Sequence, residues 1–346
     1  MRAWRTHAWG PPSEALRLDE IPVPEPGPGE VLVRNLALPL NLNDMERVTG
    51  GNMMVVPELP LVPGMEVMGE VVACGAGAEA WQGRRVVAIT KQGAGAWAEY
   101  TACPGHSTFE MPEDIALPGA AALLFPFHLA WLGLIDRAGL IEGETVLVHA
   151  AAGGAGSAAV QVAKQRGARV LATAGSAEKC ALARELGADV AVDYGAADFA
   201  DVVLEETGGR GVDVVFDTVG EAVMEAGFRV TAYGGRYVMI GFASDKTAVD
   251  RPLVVPRRVA AGNLHLCGVL LAYAPEALIP AMKKGLGWNF TPSGLGAEIT
   301  RQVVEWVRKG AVRPVVGREV AFEDIPSELE ALFERRTTGR TVARLD

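Results

Sequence analysis

Two stretches of this chain bring together residue types that can hold a charged ligand. In the first, an apolar strand, Thr145 to His149, runs into Ala150-Ala151-Ala152-Gly153-Gly154-Ala155-Gly156 and then into a helix predicted from about Ser157 to Arg166. Small residues let the backbone turn sharply and come close to a ligand, and the helix start presents free N–H groups to an anion. The spacing Ala151-x-Gly153-x-x-Gly156 is that of a dinucleotide pyrophosphate turn without its first glycine. Gly-rich turns between strand and helix are common, so the context decides: a second strand, Arg169 to Ala174, follows about twenty residues beyond the turn.

The second stretch is the end of that strand, Thr173-Ala174-Gly175-Ser176-Ala177-Glu178-Lys179. Sites that prefer NAD place Asp or Glu there to accept bonds from the ribose hydroxyls. Here a hydroxyl and an ammonium stand instead, which suit a 2′-phosphate, and Glu178 is expected to turn outward on the next helix. The pattern favours NADPH over NADH. The plainer alternative makes Lys179 a solvated surface charge.

Around these stretches the chain divides into regimes. Residues 1–122 are rich in Pro and Gly, with short β-branched strands such as Val31-Leu32-Val33 and Val86-Val87-Ala88-Ile89, the texture of an irregular β-barrel-like domain. Residues 123–271 alternate strand and helix, with strands expected at Thr145–His149, Arg169–Ala174, Val190–Val192, Val212–Asp217, Gly235–Ile240 and Leu264–Leu270. Repeated βα units imply an α/β fold with a parallel, doubly wound (Rossmann) sheet. Residues 272–346 turn helical and close on a strand-like Thr341-Val342-Ala343-Arg344-Leu345, which suggests a return onto the first domain.

Composition narrows the function classes. The 346 residues suffice for two domains, and the net charge of −10 argues against a nucleic-acid or anionic-membrane partner. Four scattered cysteines without a C-x-x-C pair suggest neither a zinc knuckle nor a disulfide framework, and point to a reducing, cytoplasmic setting. No apolar run follows the N-terminus, so no signal peptide is expected. The uncharged stretch Ile115 to Ile135 is long enough to span a bilayer, but Pro118, Gly119, Pro126 and His128 interrupt it. It reads as a buried helix at a domain junction, and no membrane partner is expected.

The run Gly143-Glu144-x-x-Leu147-x-x-x-Ala151-Ala152-Gly153-Gly154-x-Gly156-x-x-x-x-Gln161-x-x-Lys164 resembles the signature of the zeta-crystallin-like quinone oxidoreductases, zinc-free members of the medium-chain dehydrogenase/reductase superfamily. Pro63-Gly64-Met65-Glu66-x-x-Gly69-x-Val71, Gly95-Ala96-Trp97-Ala98-Glu99-Tyr100 and Asn41-Leu42-Asn43-Asp44 are similar to that superfamily's Pro-Gly-x-Glu turn, its Gly-x-x-Ala-Glu-Tyr strand and its Asn-x-x-Asp element beside the nicotinamide. The resemblance implies a GroES-like first domain, a Rossmann domain, an active site between them, and a homodimer joined along the edge strand near Leu264 to Leu270. It further implies that Gly154 and Ala155 face the pyrophosphate. Ser176, Lys179 and Tyr194 would surround the 2′-phosphate, with Arg335 from the C-terminal return. Ile240, Phe242, Val269 and Leu271 would border the ribose and nicotinamide. Tyr194 can alternatively be a strand-end core aromatic.

Catalytic zinc needs three protein ligands and an open position. Met65 stands where relatives that bind zinc carry a His, and neither Leu40 nor Asn41 replaces a Cys thiolate, so no metal is expected. Without a Lewis acid, the suitable acceptors are already electrophilic: quinones or small α,β-unsaturated carbonyls. Asn41 is then a candidate in the substrate and nicotinamide region, or simply an Asx-turn residue. Many relatives carry tyrosines where this chain has Glu46 and Asn52, and a Thr where Leu129 precedes Ala130. A tyrosine proton donor is therefore not evident. His128, next in line, is a second catalytic candidate, with a packed core histidine as the alternative. Three functions follow: an NADPH-dependent reductase of quinones or enones, an enoyl-thioester reductase, or a non-enzymatic NADPH-binding protein of crystallin-like or RNA-binding kind.

Overall fold

Strands with apolar residues on both faces must be covered from both sides. Val146, Leu147 and Val148, Val170, Leu171 and Ala172, and Val214, Val215 and Phe216 are all fully shielded. The computed structural model, which describes residues 1–51, 56–241 and 254–345, assembles these strands into a six-stranded parallel sheet. Its spatial order is Val190–Asp193, Arg169–Ala174, Thr145–Val148, Val212–Asp217, Thr231–Met239, His265–Gly268. This is the doubly wound order 3-2-1-4-5-6, in which the chain reverses direction across the sheet between Thr145–Val148 and Val212–Asp217.

Two of the strands have the bounds expected from sequence, and the others differ at their ends. Thr231–Met239 begins four residues before Gly235 because Thr231 already pairs with Val212 across a register shift. His265–Gly268 is shorter than the apolar run that suggested it and pairs only with Arg236–Met239.

Helix Gly154–Gln165 covers one face of the sheet, burying Gly156 through Ala163. It starts three residues ahead of the expected Ser157, because Gly153 is extended and Gly154 to Gly156 already lie within the first turn. Ser157 is interior to the helix and donates to Gly154 O at 2.9 Å. Phe199–Glu206 and Glu221–Val230 cover the opposite face, around Leu147, Leu171, Val215 and Tyr237.

The first part of the chain forms an antiparallel sheet, Glu30–Pro39, Glu66–Cys74, Arg85–Ile89 and Thr108–Glu110, with Tyr100–Pro104 paired to Glu30–Arg34. The C-terminal strand Arg340–Arg344 joins it, antiparallel to Ala37–Pro39, and carries Val316–Ala321 on its outer side. One connected core runs from Met68, Val87 and Phe109 of this sheet through Leu123, Leu124 and Phe127 to Val146 and Val160 of the parallel sheet.

The long apolar stretch lies in that core. It forms Ala120–Ala122, Leu124–Trp131 and a π-helical turn Leu132–Arg137. Of the window Ala120–Arg137, the one span among the described residues long and apolar enough to cross a membrane, 72% is buried inside the protein.

Candidate functional site

The turn after Thr145–Val148 is a cradle that side chains would fill. Ala150 takes a left-handed conformation at φ 51°, and a Cβ at position 156 would collide with the carbonyl oxygen of Ala150. A Cβ at position 154 would lie 2.7 Å from Cδ of Arg340. Gly154 and Ala155 thus open a 12-residue helix whose first N–H groups have no partner within the helix. That cradle, which has no room for a Cβ at positions 154 and 156, fits a dinucleotide pyrophosphate.

At the end of Arg169–Ala174, Ser176 caps helix Ala177–Glu185 by accepting from Lys179 N at 3.2 Å. Glu178 is exposed, while Lys179 is half-buried and its Nζ donates to the carbonyl of Arg335 at 2.8 Å. Lys179 is therefore tied to the C-terminal return by an exposed hydrogen bond. Tyr194 is 50% exposed, not a core aromatic, and its hydroxyl occupies the space a Cβ at Gly175 would need. The structure brings Ser176, Lys179, Tyr194 and the backbone of Arg335 to one end of the sheet.

Ile240, Val269 and Leu271 follow strands Thr231–Met239 and His265–Gly268 and pack, half-buried, against the shared core. Ile240 N donates to Asp217 O at 2.9 Å, and Val269 N to Met239 O at 3.3 Å. Phe242 and Asn52 lie outside the described residues.

Asn41 lies in a buried polar cluster that sequence reading did not assemble. Its Oδ1 accepts from Arg340 Nη1 at 2.8 Å, and its Nδ2 donates to Glu66 Oε2 at 3.3 Å. Its backbone N–H donates to Asp44 Oδ2 at 2.9 Å, fixing the turn Leu42–Met45. The amide is committed on both sides, so the geometry favours a turn-holding role over direct contact with a substrate.

Glu66, of the Pro-Gly-x-Glu turn, accepts from Arg340 Nη2 at 2.6 Å through Oε2 and from Phe125 N at 3.1 Å through Oε1. One carboxylate thereby ties the first sheet, the start of Leu124–Trp131 and the C-terminal strand. Arg340 Nε is buried without a partner among the described residues, and its stem lies against Gly154. Burial pushes the fully enclosed Asp44 carboxyl up to about 7, against the lowering effect of the Asn41 N–H and of Arg47 and Arg340. Glu66 was visible in its motif. Asp44 likewise stood in the Asn-x-x-Asp element, whereas Arg340 gave no chemical signal of its own in the sequence.

His128 is packed. Its Nδ1 lies 2.6 Å from Tyr273 Oη and its Nε2 3.0 Å from Thr300 Oγ1, which itself donates to Gly296 O. A threonine hydroxyl has one proton, so Nε2 must carry the hydrogen toward Thr300 and Nδ1 accepts from Tyr273. Burial pushes this imidazole down to about 3. Neutral, with both nitrogens taken by side chains of the core, His128 has no hydrogen bond left to give a substrate.

Met65 and Leu40 remain the residues at the would-be metal position, and the Asn41 amide is already bonded to two charged groups. Among the described residues, no group of three or more His, Cys, Asp or Glu side chains is arranged to hold a metal ion.

Comparison with known proteins agrees with this architecture. A GroES-like domain profile of alcohol dehydrogenases matches residues 27–113, and a zinc-binding dehydrogenase profile matches residues 154–286. Human quinone oxidoreductase is 31% identical over 348 residues, spanning 100% of this chain and 98% of its own. Prostaglandin reductase-3 from Bos taurus is 37% identical over 341 residues, spanning 94% and 84%. A mycobacterial protein solved in complex with NADPH superposes with a TM-score of 0.84 at 30% identity over the whole of both chains.

Proposed function

The chain belongs to the quinone-oxidoreductase family of the medium-chain dehydrogenase/reductase superfamily and is an oxidoreductase using a nicotinamide cofactor; from that premise we propose that it is an NADPH-dependent reductase of quinones or small α,β-unsaturated carbonyls, working without metal. The observation that carries the cofactor choice is the convergence of Ser176, Lys179, Tyr194 and the backbone of Arg335 at the end of strand Arg169–Ala174, which carries no carboxylate of its own, the nearest being Asp193 on the neighbouring strand. A carboxylate there would repel a 2′-phosphate, whereas a hydroxyl, an ammonium and a guanidinium attract it.

Bound NADPH supplies a hydride. The chain's own residues bind and orient: Gly154 and Ala155 offer backbone N–H groups to the pyrophosphate, and Ile240, Val269 and Leu271 give the apolar edge against which ribose and nicotinamide rest. Asn41, fixed by Arg340 and Glu66, shapes the neighbouring loop. Fixing donor and acceptor in contact can supply roughly 7–11 kcal/mol of the barrier. Such a site suits an acceptor whose own electronics stabilise incoming charge. The donor set around Met65 supports the metal-free reading, because a thioether beside a committed amide is a poor zinc site.

A homodimer in a reducing compartment completes the proposal. Among the described residues, strand His265–Gly268 is an edge with one neighbour, the helices Pro256–Gly262 and Ile279–Leu286 bury none of their residues, and Leu270, Leu278 and Leu286 are exposed. Such surface favours a second copy.

Stopped-flow oxidation of NADPH against a panel of quinones, alkenals and enoyl thioesters tests the function. Fast turnover with 1,4-benzoquinone or 9,10-phenanthrenequinone and slow turnover with thioesters is expected. A preference for enoyl thioesters, or no turnover with any acceptor, would replace the proposal with the thioester reductase or the non-enzymatic binder.

A further inference from the structure

The segment Glu334–Gly339 joins helix Ile325–Phe333 to strand Arg340–Arg344, and so belongs to the β-rich half of the molecule. Both its ends are attached to the nucleotide-binding half. Gly339 N donates to Ala152 O at 2.7 Å, and Gly339 bridges Gly153 on the pyrophosphate turn. At the other end, Lys179 Nζ holds the carbonyl of Arg335. Arg335 adopts φ 60°, a left-handed conformation that costs a residue with a Cβ about 1 kcal/mol or more. Arg336 is paired with Glu334, but the exposed Arg335 guanidinium has no ion-pair partner among the described residues.

We propose that Glu334–Gly339 is a strap which the adenosine 2′-phosphate clamps, so that NADPH, and not NADH, fixes the two halves of the molecule together. The proposal rests on the 2′-phosphate reading of Ser176 and Lys179. An ammonium has three N–H donors. One is spent on the Arg335 carbonyl, which orients the group and leaves two for a phosphate. A dianion bound there gains charge-assisted bonds from Lys179 on one half and from the unpaired Arg335 guanidinium on the strap. It therefore crosslinks the halves at a point where NADH offers only a hydroxyl.

Hydrogen–deuterium exchange of the intact protein, read on the amides of 334–338 so that the Gly339 N–H bonded to the pyrophosphate turn is left out, tests this. Saturating NADPH, or 2′,5′-ADP alone, should slow exchange at least threefold relative to the free protein, while NADH and 5′-ADP at equal saturation leave it within experimental scatter. In Lys179→Met the slowing should disappear with 2′,5′-ADP, although NADH still protects the pyrophosphate turn as in the unmodified protein. If NADPH binds at least tenfold tighter than NADH, yet both change the strap equally or not at all, the strap is overturned and the cofactor assignment stands. If the two cofactors bind equally, the 2′-phosphate reading falls and the strap with it.

Discussion

The carboxylate of Glu66 and the guanidinium of Arg340 meet at 2.6 Å with side-chain exposures of 0% and 6%. The pair joins the Pro-Gly turn of the first sheet to strand Arg340–Arg344, beside the glycine that opens helix Gly154–Gln165. Two charges removed from water are tolerable only together. Glu66→Leu should therefore destabilise the fold by about 3–5 kcal/mol, and Arg340→Met by a similar amount. The double variant Glu66→Leu/Arg340→Met should recover much of the loss. Equilibrium denaturation of the four proteins gives the coupling, and strict additivity would show that the pair is not energetically linked.

Removing the Asn41 side chain leaves Arg340 Nη1 buried without its acceptor. Asn41→Ala should lower stability by about 1–3 kcal/mol. Turnover of the variant that remains folded should fall less than tenfold. A loss of several hundredfold at unchanged NADPH affinity would instead place Asn41 against the acceptor.

Asp44 makes stability depend on pH in an unusual direction. Its carboxyl is pushed up to about 7 in the fold, while an unfolded chain releases that proton near pH 4. Between those values the native state binds more protons than the unfolded one, so this group's contribution to stability falls as pH rises through the window. Asp44→Asn keeps an acceptor for Asn41 N and cannot ionise. It should gain stability relative to the parent on going from pH 5 to pH 8, measured by denaturant titration at each pH. Parallel curves for the two proteins would contradict this account.

For His128 the sign reverses. Burial holds the folded imidazole down to about 3, whereas the unfolded one titrates near 6.5. Stability from this site is complete above about pH 6.5 and is lost as pH falls toward 3. Tyr273→Phe, which strands Nδ1 in the core, should lower stability by about 1–3 kcal/mol and leave the turnover number within twofold. A large drop in turnover without a stability change would restore a chemical role for His128.

Dialysis against a strong chelator should leave quinone reduction unchanged, and elemental analysis should find no stoichiometric zinc. The grounds are Met65 and the engaged Asn41 amide. Zinc near one equivalent that tracks activity would overturn the metal-free proposal, as would efficient oxidation of simple alcohols, which requires a strong electrophile.

Much of the molecule was legible in the sequence because its signals are local. Two-sided apolar runs specified parallel strands, and Arg169–Ala174 and Val212–Asp217 came out with the bounds their residues suggested. The small-residue turn around Gly153 and Gly154 and the lack of an acidic residue at the end of Arg169–Ala174 are properties of a few adjacent positions, so they could be read before any folding was known, and they are the basis of the proposed cofactor site.

What the sequence could not show is which distant groups consume one another. Asn41 and Arg340 are 299 residues apart, Lys179 and Arg335 156, and His128 and Tyr273 145. A hydrogen-bonding side chain has the same inventory of donors and acceptors wherever it stands. Whether these are offered to a ligand or already spent is decided when packing closes loops of that length and excludes water from the pair. On residue type alone, His128 and Asn41 were candidates for chemistry and Lys179 could have been a bare surface charge. Tertiary burial gave the first two fixed partners and brought Lys179 to a carbonyl from the far end of the chain.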